Sequence, residues 1–511
     1  MFLKHLKNFF ERTNEIKKDV SGEKTIVCDR IPEMDELALG WACGHDDEKQ
    51  SDIQQLKGVK QKHRDTHFYV VGGSGTGKTK FLECLIKQDI ASGFGFGIID
   101  PHGDLVEDIK GYLYLAQNSP QNSPKNDFLG DNVVCIDPTD KNLTVAFNPL
   151  EKVQGISAAE QAGELVGVFK KIWKDSWGAR MEDLLRNSLI ALVEQNLTLV
   201  ELPKFLTNDE FRNATLEKTD HPICRQYFER FNSLSKRIRD EWSESTLNKT
   251  NAFLSDDRIR QILISPQSSF NLRDIIDNGK ILLVKLDKGR LKGGADLLGS
   301  LILSKLQMAA FARSDTLQSE RRLFHLYIDE FQNFATDSFI ETLAEARKYR
   351  LALVLAHQNL AQLPYDLQAS IFTNCGLQAY FRLSRQDSQI MAKEAMTSLY
   401  AQPPGWEELI QQLQELPPRF LLVKNKIEGG AAILSSLEID PPWKKAGMKE
   451  SQFQQIVNGA GIGDYYLRSR GEVEKEYQKR CGQIEQDQNS KAPADFSEDR
   501  IEIWQNPSDG K

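Results

Sequence analysis

The chain has 511 residues, of which 40% are hydrophobic and 27% are charged, so it is long enough for about three domains with sizeable cores. This composition is typical of a globular protein and excludes a largely disordered chain or a polytopic membrane protein. The formal net charge of −8 excludes a basic field over the whole molecule, so any contact with nucleic acid would be local.

The N-terminal region contains two short patterns. Residues 1–18 place apolar side chains at helical spacing among basic ones, which predicts an amphipathic arm packed on its own protein; a membrane surface or a partner would suit the same pattern. Further along, Cys43, His45, His63 and His67 have a spacing that zinc sites use. Because paired C-x-x-C knuckles are lacking, we interpret these four as ordinary polar residues that lead into a strand.

Cysteine usage and hydropathy predict the compartment. The seven cysteines include no C-x-x-C pair, which is typical of a reduced, cytosolic protein. No run of 18 or more apolar residues occurs, which predicts a protein without an integral membrane segment. We therefore expect a cytoplasmic protein, with peripheral association with a membrane complex as the alternative.

Short continuous apolar runs recur along the chain, and they are typical of strands buried on both faces of a parallel sheet. A long stretch with helical periodicity separates the run at 133–136 from the run at 281–286. The predicted fold is therefore α/β, with a mostly parallel sheet and an all-α insertion. The predicted segments are an N-terminal segment (1–66), a first core segment (67–150), the all-α insertion (151–275), a second core segment (276–440) and a polar, partly disordered tail (441–511).

A glycine-rich loop follows the first apolar run. Residues 72–79 read GGSGTGKT and match G-x-x-x-x-G-K-[ST], with the expected strand before and helix after. Such a loop points backbone N–H groups at phosphate oxygens, and its lysine would bridge the β- and γ-phosphates while its hydroxyl would bind Mg²⁺. The predicted ATP site consists of Gly73, Ser74, Gly75, Thr76, Gly77, Lys78, Thr79 and Lys80.

A second acidic element is needed to hold the metal and activate water. Four apolar runs end in an aspartate: Asp100, Asp137, Asp287 and Asp329. Only Asp329 is followed by a second carboxylate, Glu330, and hydrolysis needs two acidic roles. We therefore assign Mg²⁺ to Thr79 and Asp329 and activation of water to Glu330, and we expect Asp100 near the phosphates as a further possibility.

The strand-like run at 351–356 leads to Gln358, at the edge of the sheet where polar side chains would meet the nucleotide. An amide there can hydrogen-bond both the γ-phosphate and the attacking water. Gln358 is therefore the predicted sensor.

Phosphoryl transfer also calls for an arginine, from the same chain or a neighbour. Helical spacing puts Arg347 and Arg350 on one side, with Glu345 and Lys348 paired elsewhere, so the two arginines would be free to cross an interface. Arg382 is the competing candidate.

A basic, glycine-rich segment follows the run at 281–286. Lys288, Arg290 and Lys292 could contact DNA phosphates, because the glycines among them would let the backbone approach a phosphate chain. A solvated loop, or a loop on a neighbour's nucleotide, would have the same composition.

Taken together, the motifs resemble the HerA/FtsK superfamily of ring-forming P-loop motors and, within it, the TraG/TraD-type coupling ATPases of type IV secretion and conjugation. The resemblance covers roughly residues 66–435 in family order, including GGSGTGKT, FGIIDPHGDL, LYIDEFQNF, EARKYRLALVLAHQNLAQLP and NCGLQAYFRLSRQDS. It implies a RecA-like core, a homohexamer with ATP between subunits, Arg347 as a finger acting in trans, and Arg382 at the same interface.

Three functional hypotheses follow. The first is an ATP-hydrolysing hexameric motor that translocates or remodels DNA. The second is a nucleotide-gated scaffold that activates a partner such as a nuclease in antiviral defence. The third is a coupling ATPase recruited to a secretion machine, or to its relaxosome, through a separate anchor subunit; coupling proteins of conjugation generally begin with transmembrane helices, and this sequence does not.

Overall fold

The computed structural model describes residues 36–46, 51–118, 129–396 and 406–489, and the predicted N-terminal arm lies outside them. The described region begins with a hairpin that the sequence analysis did not recognise. Its strands are antiparallel, and a register shift near Gly40 interrupts their pairing. The two strands are β1 (Glu36–Asp46) and β2 (Ser51–Lys60).

The first half of the core alternates strands and helices, as parallel sheets require. The elements are β3 (His67–Val71), α1 (Lys78–Ser92), β4 (Gly95–Asp100), α2 (Asp104–Gln117), β5 (Val133–Ile136) and β6 (Leu143–Thr144).

Helices follow without a strand up to residue 280, in agreement with the helical periodicity of this stretch. Several begin with a polar cap; Ser157, for example, forms a reciprocal capping box with Glu160. The helices are α3 (Ala158–Ile172), α4 (Ala179–Glu194), α5 (Leu202–Thr207), α6 (Asp209–Glu217), α7 (Pro222–Ser233), α8 (Lys236–Leu254), α9 (Asp257–Leu263) and α10 (Leu272–Asn278).

The second half of the core resumes the alternation and then ends in a hairpin. The elements are β7 (Ile281–Lys285), α11 (Lys288–Leu291), α12 (Gly293–Phe311), β8 (Phe324–Ile328), α13 (Phe339–Glu345), β9 (Leu351–His357), α14 (Tyr365–Asn374), β10 (Cys375–Tyr380), α15 (Arg385–Met396), α16 (Trp406–Glu415), β11 (Phe420–Asn425) and β12 (Ala431–Ser435).

The C-terminal segment, predicted as a polar, partly disordered tail, contains regular elements as far as residue 489. It forms ordered elements that pack on the core, with Phe453 and Val457 buried at helical spacing. Few apolar residues suffice here because Arg470 and Arg480 bind core groups; the Arg480 guanidinium lies 2.5 Å from Glu201. The elements are α17 (Pro442–Lys445), α18 (Glu450–Gly459), β13 (Arg468–Ser469) and α19 (Arg470–Asn489).

One eleven-stranded sheet organises the described residues, in the order β2-β1-β12-β11-β10-β3-β9-β8-β4-β7-β5. From β10 to β5 all neighbours are parallel, whereas β11, β12 and the first hairpin add antiparallel strands at one side. The predicted α/β class with a mostly parallel sheet is confirmed. β9 lies between β3 and β8, which brings the ends of all three strands together.

Helices cover both faces of this sheet because alternate side chains of a strand point to opposite faces. Phe68 and Val70 pack with α1 and α2, whereas Tyr69 and Val71 belong to the larger core shared with α12 and the helical insertion.

With the residues after it, α12 forms the stretch Gly293–Asp315, which alone among the described helices is long and apolar enough to cross a membrane. However, 89% of its most apolar window is buried inside the fold, as in a core helix.

Lys171 is an unusual buried charge where α3 packs on α12. Its ammonium is buried and has no hydrogen-bond partner among the described residues. Burial lowers the pKa of Lys171 from its usual 10.5 to about 7, although Asp296 and Asp337 favour the charge. The folded state therefore holds this proton more weakly than the unfolded chain does.

This site predicts a stabilising substitution. We expect Lys171→Met to raise the free energy of unfolding by about 2 kcal/mol at pH 6.5, because it removes a buried charge that the nearby carboxylates compensate only in part. Since the folded pKa is depressed, the penalty in the wild type is complete below about pH 7 and fades as the pH rises toward 10.5. The gain should therefore shrink at pH 9.5 in urea titrations. Lys170→Met, which changes a half-exposed neighbour, should show no such pH-dependent gain.

Candidate functional site

The glycine-rich loop connects β3 to α1 and has the backbone that its sequence requires. Gly75 and Gly77 have φ values of +71° and +109°, which side chains rarely adopt. A Cβ on Gly72 would lie 2.5 Å from the Cβ of Phe381, so only glycine fits beside the end of β10. Thr76 closes the loop by donating from its hydroxyl to the Gly73 carbonyl at 2.8 Å.

Lys78 is the first residue of α1 and is only 7% exposed. Its ammonium folds over the loop and donates to the carbonyls of Gly72 at 2.6 Å and Gly73 at 3.0 Å. Burial lowers the pKa of Lys78, while nearby Glu330 and Asp329 oppose the shift. The site thus holds a desolvated cation where the loop would meet phosphate.

Lys80, also included in the predicted ATP site, directs its ammonium elsewhere. It lies 2.6 Å from both Glu83 and Asp108, in α1 and α2. Its side chain therefore does not belong to the phosphate-facing set.

Asp329 lies directly after β8 and faces the first turn of α1. The hydroxyl of Thr79 donates to Asp329 Oδ2 at 3.4 Å, which joins the two predicted Mg²⁺ ligands. Burial raises the pKa of Asp329 to about 6, and the neighbouring Asp100 and Glu330 add to this shift. A concentration of buried carboxylates beside a threonine hydroxyl suits a divalent cation.

This donor set fits Mg²⁺ in particular. The described residues contain no group of three or more His, Cys, Asp or Glu side chains that could enclose a metal. Mg²⁺ does not need one, because it usually takes one or two protein ligands and completes its shell with water and phosphate oxygens. Zinc at His67 is a poor fit, since its Nε2 lies 3.1 Å from the Leu343 carbonyl and its Nδ1 accepts from Leu353 N.

The other three aspartates at strand ends have local partners. Asp100 accepts from the backbone N–H groups of His102 and Val106 and so shapes the start of α2. Asp137 pairs with Lys285 at 3.1 Å. Asp287 pairs with Arg290 at 3.1 Å. Asp100 is nonetheless close enough to raise the pKa of Asp329.

Glu330 occupies a strained position at the centre of the site. Its φ of +48° lies in the left-handed region, and such strain in a residue other than glycine is characteristic of functional sites. The side chain is 7% exposed. Gln358 Nε2 donates to Glu330 Oε1 at 2.8 Å, and Gln332 Nε2 donates to Glu330 Oε2 at 2.8 Å. Two amides therefore hold both oxygens of one carboxylate.

His357 anchors the predicted sensor to the sheet. Its Nε2 lies 2.5 Å from the Tyr69 hydroxyl, and its backbone carbonyl accepts from Gly72 N at 3.3 Å. Burial lowers the pKa of His357 to about 3, so the ring is neutral. This structural role agrees with the sequence analysis, which placed the functional side chain at Gln358.

The predicted arginines lie at opposite edges of the sheet. Arg382 follows β10, and its carbonyl accepts from Gly73 N at 3.0 Å, so it borders the glycine-rich loop with an exposed side chain. Arg347 precedes β9, a strand of seven residues, and so lies roughly 20 Å from that loop. Arg347 therefore cannot serve the site of its own subunit.

The arginine pair differs from the prediction in its geometry. The helix ends at Glu345, and Arg350 adopts φ +58° at the end of a 3₁₀ turn. Arg347 and Arg350 are not free, because their guanidinium groups lie 3.4 Å and 3.7 Å from the carboxylate of Asp65. The expected pair of Glu345 and Lys348 is present at 2.5 Å.

Two site residues were missed by the sequence analysis besides Asp65. Gln332 lies two residues after Glu330. An amide this close to the predicted catalytic acid was the signal that could have identified it. Arg419, with φ +71°, donates its backbone N–H to the Thr76 carbonyl at 2.8 Å and packs on the glycine-rich loop. No local pattern points to Arg419, since the contact depends on the fold of the hairpin that follows it.

The predicted DNA-contacting segment forms a short helical turn after β7. It lies at the edge of the sheet that also carries the glycine-rich loop. Lys288 lies 2.9 Å from Asp296 and donates to Asn333 at 3.2 Å. Arg290 is 66% exposed although it pairs with Asp287, and Lys292 is exposed with φ +51°. Two of the three cations are thus presented to solvent.

A glycine-rich loop with its lysine and threonine, adjacent carboxylates and an amide on the intervening strand together define a RecA-like P-loop nucleotide-binding protein. More particularly, the chain belongs to the family of type IV secretion-system coupling protein DNA-binding domains, because that family's model matches residues 53–396, more than half of the chain. The resemblance to the TraG/TraD-type ATPases of the HerA/FtsK superfamily is therefore confirmed.

Solved structures show the same fold at low sequence identity. The unbound bacterial conjugative coupling protein TrwBΔN70 is 16% identical over 75% of this chain and 87% of that chain, with a TM-score of 0.51. The plasmid coupling protein TrwB in complex with ADP and Mg²⁺ is 15% identical over 80% and 96%, with a TM-score of 0.51. VirB4 of Thermoanaerobacter pseudethanolicus is 13% identical over 80% and 98%, with a TM-score of 0.53. No curated protein sequence matches the chain.

Proposed function

We propose that this chain is the ATP-hydrolysing motor subunit of a coupling machine, in which a ring of identical subunits moves DNA toward a type IV secretion or conjugation apparatus. The observation that carries the proposal is the convergence of Lys78, Thr79, Asp329, Glu330 and Gln358 at one edge of the sheet. Family membership supports the assignment, and so do the nucleotide and Mg²⁺ of the TrwB complexes.

In this proposal the chain's own groups divide the work. The N–H groups of residues 73–79 and the ammonium of Lys78 bind the ATP phosphates. Thr79 and Asp329 would hold Mg²⁺, which supplies charge neutralisation at the β- and γ-phosphates. Glu330 orients the attacking water and accepts its proton, and Gln358 senses the γ-phosphate.

Assembly completes the site. Arg382 borders the loop of its own subunit, whereas Arg347, at the far edge of the sheet, would reach the nucleotide of a neighbour. A closed ring presents each subunit's Arg347 to the next, and we propose a homohexamer. The complex would be cytoplasmic and peripherally associated with the secretion machinery.

DNA contact is proposed for Lys288, Arg290 and Lys292. We expect duplex or single-stranded DNA to stimulate ATP hydrolysis, measured as phosphate release with and without DNA. Arg290→Ala/Lys292→Ala should weaken DNA binding and flatten the slope of log affinity against log salt, because fewer counterions are released. The charge-matched control Lys141→Ala/Lys218→Ala changes exposed lysines elsewhere and should retain the wild-type slope.

The outcomes of this experiment separate the hypotheses. Failure to hydrolyse ATP in the presence of Mg²⁺ would contradict a motor of any kind. Hydrolysis that no form of DNA stimulates would contradict the DNA motor and support the alternative of a nucleotide-gated scaffold for a partner enzyme.

A further inference from the structure

The catalytic carboxylate of the proposed motor has two amide partners, and only one of them is accounted for by the proposed mechanism. Gln358 and Gln332 each donate to a different oxygen of Glu330 at 2.8 Å. Gln358 is also assigned to the γ-phosphate, so its amide is shared between Glu330 and that second partner. Gln332 has no such second duty.

The turn that carries Gln332 is fixed to the core on both sides. Phe331 and Phe334 flank it and are fully buried. The Phe331 ring lies 5.1 Å from that of His357, and a Cβ on Gly299 would come within 2.5 Å of the Phe334 ring. The amide of Gln332 is therefore presented to Glu330 by a turn that close packing holds in place.

The carbonyl oxygen of the Gln332 amide is also directed inward. Its Oε1 is buried and has no hydrogen-bond partner within the stretches of chain that the structure describes. An unpaired buried acceptor costs free energy, so its retention beside a strained acid suggests a positional constraint rather than a packing choice.

Resting on the proposed ATPase function, we propose that Gln332 is a positioning residue that keeps the Glu330 carboxylate aimed at the attacking water while Gln358 turns to the γ-phosphate. Gln358 is the exchangeable partner and Gln332 the constant one. Loss of Gln332 should therefore impair turnover and leave nucleotide binding unaffected.

The test uses Gln332→Met, which keeps the length of the side chain and removes its donor. We expect kcat to fall about 10-fold, as for loss of a hydrogen bond to a charged group, with KM for ATP within about twofold of the wild type. Gln332→Glu, which places a like charge beside Glu330, should lower kcat further. Gln411→Met, the same substitution on an exposed face of α16, is the matched control and should behave as the wild type.

A second measurement separates positioning from a general structural role. In a Glu330→Gln background, Gln332→Met should change the residual rate by less than about threefold, because the group it positions is gone. A kcat at the wild-type level in Gln332→Met would overturn the inference, and so would a parallel loss of ATP affinity or thermal stability. A wild-type protein without ATPase activity would instead overturn the proposed function, and this inference with it.

Discussion

Glu330→Gln is expected to lower the rate of ATP hydrolysis by about 100- to 10,000-fold while ATP still binds, because the substitution removes the group that accepts a proton from water. The local geometry sharpens this expectation. Gln358 and Gln332 both donate to the carboxylate, so a glutamine at 330 would face one of these donors with its own NH₂ group. The side chain would lose its fixed orientation as well as its basicity.

The measurement is steady-state phosphate release, with ATP affinity followed separately by a fluorescent analogue. Glu341→Gln makes the same chemical change on an exposed face of α13 and serves as the control. Retention of a rate within about fivefold of the wild type would rule out Glu330 as the general base. Loss of ATP binding as well would show that the substitution damages the loop rather than the chemistry.

The sequence predicts those features of this site that depend on local residue patterns. The glycine-rich loop must contain glycines because Gly75 and Gly77 have positive φ, so its pattern is visible without a structure. Asp329, Glu330 and Gln358 follow buried apolar runs, and parallel strands bring such ends to one edge of a sheet. Choosing Asp329 among four aspartates needed only the second carboxylate beside it.

The features that the sequence did not predict depend on tertiary contacts. Asp65 meets Arg347 and Arg350 across about 280 residues of chain, and nothing local marks it as their partner. Gln332 looks like any amide until its turn is fixed by buried aromatic rings. Among the added antiparallel strands, β2 escaped notice because it mixes polar and apolar residues without a clean alternation.

Helix ends were a further source of error. The spacing of Arg347 and Arg350 was interpreted as continuous helix, but the helix stops at Glu345 and a tighter turn leads into β9. β9 begins directly after Arg350, so the chain has no room for another helical turn before the strand. The arginines still share one side of the structure, although through a common carboxylate rather than through helical periodicity.

Arg347→Ala is expected to lower ATP hydrolysis by about 1,000-fold or more, as for loss of an arginine that stabilises the transition state of phosphoryl transfer from a neighbour. The side chain is 61% exposed, so the loss should not come from unfolding. Arg350→Ala is the matched comparison, because Arg350 shares the Asp65 contact but is 37% exposed; its effect should be much smaller.

A mixing experiment tests whether the arginine acts between subunits. Lys78→Ala and Arg347→Ala proteins should each be inactive, because one lacks the phosphate-binding lysine and the other the finger. In mixed rings made at equal amounts, an intact Lys78 site meets an intact Arg347 at roughly a quarter of the interfaces, so up to that fraction of the wild-type rate should return. The double variant Lys78→Ala/Arg347→Ala mixed with either single variant should restore nothing. Failure of verified mixed rings to recover activity would contradict action in trans, and since Arg347 lies at the far edge of the sheet from its own loop, it would leave that arginine with no role in catalysis.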